Sequence, residues 1–319
     1  MRLSILLAAL LAFAFPAGSQ QRVWRVGYLT TGDAVAPSLR SATLPVLAEH
    51  GFIEGRNLQL VVGLAGGNPE RLPALARDIA AAKPDVIIAV SNHSVRAAMS
   101  AAPDTPIVMS FAGEDAVAEG LVASLARPGG KVTGIMMLAE EGDLKRLHLV
   151  HDALPTVRRF GFLASNTLTP VRDQDLRQAA SRLGVELMIR RAGGADEIDG
   201  AIALLRADGV GAVVVMSNPL FLTEVGRIAA LAIRYRLPTI CEWREMAQQG
   251  CLLSFGPDLT VLRRRTGEFV VRILKGADPA TLPVEQPDRF ELVVSLRTAT
   301  GLGLSLPTAI LARANEVIE

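Results

Sequence analysis

From Arg25 onward the chain alternates two kinds of pattern. Short runs in which nearly every residue is apolar are separated by longer stretches in which apolar residues recur every three or four positions. The first five runs are RVGYL (25–29), LQLVV (58–62), VIIAV (86–90), PIVMS (106–110) and VTGIM (132–136). Continuously apolar runs of this length suit strands buried on both faces, and the stretches between them, 38–50, 71–82, 94–101 and 116–126, carry helical periodicity. Strand and helix in alternation predict βαβ units and a parallel sheet. Gly51 after the first helix, and Pro84 and Pro103 after the next two, punctuate the ends as helix stops should.

The order then starts again. RVGYLTT (25–31) matches RFGFLASN (159–166), VIIAVSN (86–92) matches AVVVMSN (212–218), and Pro106 opening PIVMSF matches Pro238 opening PTICEW. Three matches in the same order at nearly constant spacing read as two similar α/β lobes. Ligands of open parallel sheets bind beyond the carboxyl ends of the strands. That rule selects Thr30 and Thr31, Ser91 to Ser94 with Asn92 and His93 between, Phe111, Glu114 and Asp115, Ser165 and Asn166, Ser217 and Asn218, and Glu242 and Trp243.

These are mostly small hydroxyl and amide groups beside predicted helix N-termini, a setting that suits a carboxylate. Glu114, Asp115 or Glu242 could receive an ammonium group. Aligning the two prolines places Phe111 opposite Trp243, so a flat ring held between them is expected. For single residues local roles compete with ligand contact: Ser94 as a helix cap, Asn92 as a turn former, His93 as a loop cap.

Composition narrows the class. The 319 residues are half hydrophobic and carry a formal net charge of +1, which excludes a strong field for nucleic acid. Arg2, the apolar LSILLAALLAFAF and the small residues after Pro16 read as a signal peptide spanning 1–19, cleaved near Ser19, and hence as an exported protein. The apolar run is shorter than the roughly 20 residues a membrane span needs. Cys241 and Cys251 can pair in an oxidising compartment or stand as two buried thiols. His148 and His151 lie a turn apart on a predicted helix with no third ligand, so no metal is expected. The run Arg263 to Arg265 reads as a solvated helix face or a lobe contact. No GxSxG, Walker, HExxH or GxGxxG pattern occurs, which favours binding over catalysis and calls for no cofactor.

The segments HGFIEGRNLQL, NPERLPALA, PDVIIAV, EGLVASLARPGGKVTG, LPTI, FGPDL, ILKGADPATLPVEQPDRFELVVSLRTATGLGLSLP and RANEVIE resemble the extracytoplasmic substrate-binding proteins of ABC transporters. More narrowly they are similar to the branch with tryptophan- and tyrosine-binding members. The resemblance implies a type I periplasmic binding protein fold, two Rossmann-like lobes with parallel sheets joined by a three-crossover hinge. Lobe one would comprise 22–138 plus 258–289, and lobe two 139–257 plus 290–319. It also implies a monomeric periplasmic receptor, not an enzyme, that delivers a small aromatic or planar carboxylate or amino-acid-like ligand to a permease. A sensory binding protein for a membrane receptor, or an exported α/β enzyme using His93 with Glu114 or Asp115, remain the alternatives. Where that branch often has a small Thr-Pro-Ala turn, this chain has Asn92-His93-Ser94, which points to a different ligand such as an aromatic acid or an amide.

Overall fold

The structure is a computed structural model and describes residues 22–112, 115–137 and 139–319. The predicted signal peptide and the candidate ligand residue Glu114 lie outside the described residues.

The described residues form two sheets. The first contains β1 (Trp24–Thr30), β2 (Leu58–Leu64), β3 (Val86–Val90), β4 (Ile107–Ala112) and β5 (Val132–Met136), all parallel, in the order β2-β1-β3-β4-β5. The second contains β6 (Arg159–Ala164), β7 (Glu186–Arg191), β8 (Ala212–Val215), β9 (Thr239–Cys241), β10 (Leu253–Gly256), β11 (Glu291–Ser295) and β12 (Glu316–Ile318). Its order, β12-β11-β10-β9-β8-β6-β7, contains the first sheet's order in mirror sequence, β7-β6-β8-β9-β10. The internal repeat is therefore a repeat of topology, and the fold is two Rossmann-like lobes. The second sheet departs from a purely parallel one at a single pair: β10 and β11 run antiparallel.

The repeated Arg-x-Gly motif has a packing reason. A Cβ on Gly27 would stand 2.7 Å from Ile79 Cγ2, and one on Gly161 would stand 3.0 Å from a Leu205 methyl. In each lobe a helix side chain lies close over the first strand, and a Cβ at this position would press against it. With helices on both faces, strands such as VIIAV are buried at every position, which is why they lack alternation.

Predicted helices at 71–82 and 94–101 are found at Leu72–Ala81 and Asn92–Ala101, and the run Arg263 to Arg265 lies in a helix, Leu259–Leu274. The stretch 38–50 divides into a π-helical turn, Leu39–Thr43, and a helix, Leu44–Glu49. The helix predicted over 116–126 does not form. Asp115 caps the amides of Val117 and Ala118 in a turn, Gly120 takes φ +68°, and Ser124 and Arg127 close a second turn by mutual hydrogen bonds. Its apolar residues Leu121 and Val122 are buried without helical structure, so apolar spacing alone misled.

After β10 the chain returns to the first sheet. The helix Leu259–Leu274 packs on β3, β4 and β5, and Glu285 bridges to Ile135 at that sheet's edge. Thr133 Oγ1 donates to the Leu282 carbonyl at 2.7 Å. β11 and β12 then complete the second sheet. Among the described residues no helix is long and apolar enough to cross a membrane.

Candidate functional site

Both sheets reverse strand order at equivalent places, between β1 and β3 and between β6 and β8. A crevice opens at such a switch point because the flanking connections leave in opposite directions. Here the two crevices face each other and form one cavity, about 770 Å3 with its mouth included.

From the first lobe the wall includes Tyr28, Thr30, Ser91, Asn92, His93, Phe111 and Arg263, and from the second Thr167, Arg172, Ser217, Asn218, Glu242 and Trp243. Nine of the expected residues thus line one cavity: Thr30, Ser91, Asn92, His93, Phe111, Ser217, Asn218, Glu242 and Trp243. The equivalent Ser-Asn pairs do equivalent work. Ser91 Oγ accepts from the Ser94 amide at 3.4 Å and starts one helix. Asn218 Oδ1 accepts from the Leu220 amide at 2.9 Å and starts another, with Pro219 at its first position.

Four described candidates sit elsewhere, as does Thr31. Ser94 is buried against Ser91 Oγ at 3.3 Å, within the first helical turn instead of at its cap. Asn92 is helical too, so it closes no turn. Asp115 is exposed and spent on its own turn. Ser165 lies behind the wall, 2.7 Å from Thr167 Oγ1, and accepts from Asn218 Nδ2 at 2.9 Å. Asn166 is exposed and packs against Gly193. Thr31 is buried with its hydroxyl unpartnered among the described groups.

Phe111 and Trp243 do meet across the cavity, but edge to face, with centroids 5.5 Å apart and planes at 64°. The Arg263 guanidinium lies 4.2 Å from the Phe111 ring centre. No slot remains for a third ring stacked between the two aromatics in this arrangement, which corrects the expectation of a sandwich. Ser91 and Phe111 both hold positive φ, +87° and +60°. Such backbone costs about 1–3 kcal/mol per residue and persists where the surroundings over-determine it, commonly at functional sites. Phe111 is also where the β4–β5 register shifts.

Sequence reading missed the guanidiniums. Arg263 is only 1% exposed, and its partners are hydroxyls: Nε donates to Ser38 Oγ at 3.2 Å and Nη1 to Ser110 Oγ at 3.0 Å. It forms no ion pair with any described carboxylate. Burial pushes its pKa down, and the neighbouring Tyr28 side chain opposes that shift electrostatically and as an acceptor. Its neighbours in the run differ: Arg264 reaches Glu49 at 3.5 Å and Arg265 pairs with Glu285 and Glu268.

The second lobe's wall is backed by a buried ion network. The Asp143 carboxylate takes Arg146 on one oxygen and Arg172 on the other, and the Ser217 amide also donates to it at 3.3 Å. Arg146 also donates to the Phe255 carbonyl at 3.0 Å. Ser217 Oγ donates to Glu242, whose burial pushes its carboxyl above the usual range while Arg146 and the Ser217 hydroxyl pull it back. Cys241 and Cys251 are joined by a disulfide, Cα atoms 6.4 Å apart, closing the loop that carries Glu242 and Trp243.

The lobes touch again at the rim. Thr223 Oγ1 donates to Asp33 at 2.8 Å, and Gly67, at φ +81°, approaches Gly193 so closely that a Cβ would collide with its carbonyl. Two Rossmann-like lobes thus enclose one cavity walled by hydroxyl, amide, guanidinium and aromatic side chains.

Comparison with known proteins gives the family. The profile described as ABC transporter substrate binding protein matches residues 35–318, and the chain belongs to that family. The tyrosine-binding protein of Clostridioides difficile is 26% identical over 273 residues, which is 84% of this chain and 78% of that one. Among solved structures, a conserved domain protein from Vibrio cholerae is similar with TM-score 0.80 and 24% identity, covering 93% of this chain and all of that one. An ABC domain in complex with L-Trp from Streptococcus pneumonia has TM-score 0.78 at 22% identity with the same coverage.

Proposed function

We propose that this protein is the extracytoplasmic receptor of an ABC importer. It captures a small aromatic or planar carboxylate or amino-acid-like solute between its lobes and hands it to a permease in the inner membrane. The observation that carries this reading is the single cavity walled by strand ends from both sheets. A solute there contacts both lobes at once and so stabilises the closed arrangement over an open one. The moving bodies are 22–138 with 258–289 and 139–257 with 290–319. The first 19 residues direct export to the periplasm and are removed near Ser19.

Ligand class is supported by Trp243 and Phe111, by the hydroxyl and amide groups of Thr30, Ser91, Asn92, Ser217 and Asn218, and by His93 at the cavity wall. The tyrosine-binding relative and the L-Trp complex are consistent with it. Receptor function requires that the solute be returned intact. The test is a melting-temperature screen of the chain from Gln20 onward against amino acids, aromatic acids, amides and sugars. A ligand at 100 times its Kd stabilises by about 2.7 kcal/mol. Shifts confined to aromatic carboxylates and amino acids are expected; shifts only with sugars or other non-planar compounds would overturn the ligand class, and turnover of the bound compound would overturn the receptor reading.

A further inference from the structure

Among the described residues the charges around the cavity do not cancel, and the remainder bears on which solute it takes. On the second lobe's side two guanidiniums, Arg146 and Arg172, stand against two carboxyls, Asp143 and Glu242. That group is neutral if Glu242 is ionised and positive if it is protonated. On the first lobe's side Arg263 is buried among hydroxyls and paired with no described carboxylate. In either protonation state of Glu242 these groups carry excess positive charge.

A buried cation without a counter-charge is costly unless something supplies one. Arg263 lines the cavity, so a solute can do so. The same geometry is poor for an ammonium group. Two of the described lining residues, Arg172 and Arg263, are guanidiniums, and the one carboxyl among the described lining residues, Glu242, already accepts from Ser217 and lies within the field of Arg146 and Arg172. An ammonium there would meet like charge from Arg172 and Arg263, and would compete with the guanidiniums and Ser217 for the Glu242 carboxyl.

Resting on the reading of this cavity as the ligand site, we infer that the cleft selects an aromatic solute whose carboxylate carries no α-ammonium. Such a solute is an arylacetate-like anion held by the Arg263 guanidinium, preferred over the amino acid with the same ring. The hydrogen-bonded charge pair places the carboxylate on the first lobe while the ring rests against Trp243 of the second, so one anion engages both walls.

The test is calorimetric titration of the exported chain with two matched sets: indole-3-acetate, L-tryptophan and tryptamine; and 4-hydroxyphenylacetate, L-tyrosine and tyramine. The acids are expected to bind about tenfold or more tightly than the amino acids, the amines not at all. Amino acids binding as tightly as the acids, or more so, would overturn the inference while leaving the aromatic-carboxylate reading intact. Failure of all six to bind would overturn both. Arg263→Met should abolish the acid's advantage, and a folded Arg263→Met that keeps it would remove Arg263 from the account. Should that variant not fold, Arg263→Lys, which keeps the charge but loses the planar fork, should still weaken the acids more than the amino acids; equal weakening would count against the inference.

Discussion

The two walls of the cleft solve the problem of buried charge in opposite ways. In the second lobe Asp143 is shared by Arg146 and Arg172, and the group is further tied to the Ser217 amide and the Phe255 carbonyl. In the first lobe Arg263 has hydroxyls and an aromatic face but no described acid. The network holds a carboxylate between its two guanidiniums, although Arg146 Nε and Arg172 Nε have no partner among the described groups; the lone guanidinium has no described counter-charge. Duplication of the fold therefore did not duplicate the electrostatics: helices behind one wall carry a shared-carboxylate network, and the helix behind the other carries a guanidinium with no described acid.

Breaking the scaffold gives the largest expected effect. Asp143→Asn leaves Arg146 and Arg172 buried without their counter-charge and should destabilise by about 3–5 kcal/mol in urea denaturation. A loss below about 1 kcal/mol would mean the network is not structural. Next comes the disulfide. Cys241→Ser with Cys251→Ser opens the loop holding Glu242 and Trp243, and should lower stability by about 2–4 kcal/mol. Unchanged melting of the double variant would show that the bridge is dispensable to this wall.

Arg263→Met sharpens the contrast. Because it removes a buried cation that has no acid partner, unliganded stability should change by less than about 1 kcal/mol, or rise, while acid binding is lost. Destabilisation comparable to that of Asp143→Asn would erase the distinction between the walls. The smallest expected effect is a trend with pH. A carboxyl whose folded pKa is raised binds its proton more tightly when folded, so its contribution to stability is present below the unfolded value of about 4.3 and is lost as pH rises through the folded pKa. Burial raises Glu242 in this way. Relative to wild type, Glu242→Gln should gain stability as pH rises from about 4 toward neutrality; a flat difference would contradict the shift.

The sequence showed the strand ends more clearly than it showed the charges behind them. Thr30, Ser91, Ser217 and Glu242 were legible because apolar runs locate strands, the internal repeat aligns them, and the switch-point rule says where they point. Arg263 was hidden by its neighbours: three consecutive arginines on a helix face three directions about 100° apart, and composition cannot say which one turns inward. A signal was available. Leu259, Leu262, Arg263, Thr266 and Val270 form one buried stripe at helical spacing, with Arg263 inside it. Phe111 and Trp243 were correctly placed opposite each other, but their direct contact depends on the positive φ at Phe111 and the β4–β5 register shift, which no spacing encodes. The false helix at 116–126 shows the converse, apolar spacing that serves burial of Leu121 and Val122 from a loop.

The most direct measurement is a crystal structure of the chain from Gln20 onward with indole-3-acetate. The carboxylate is expected within about 3 Å of the Arg263 guanidinium and the indole against Trp243. A carboxylate directed instead to Arg172 or to solvent, with Arg263 still facing only hydroxyls, would contradict this placement.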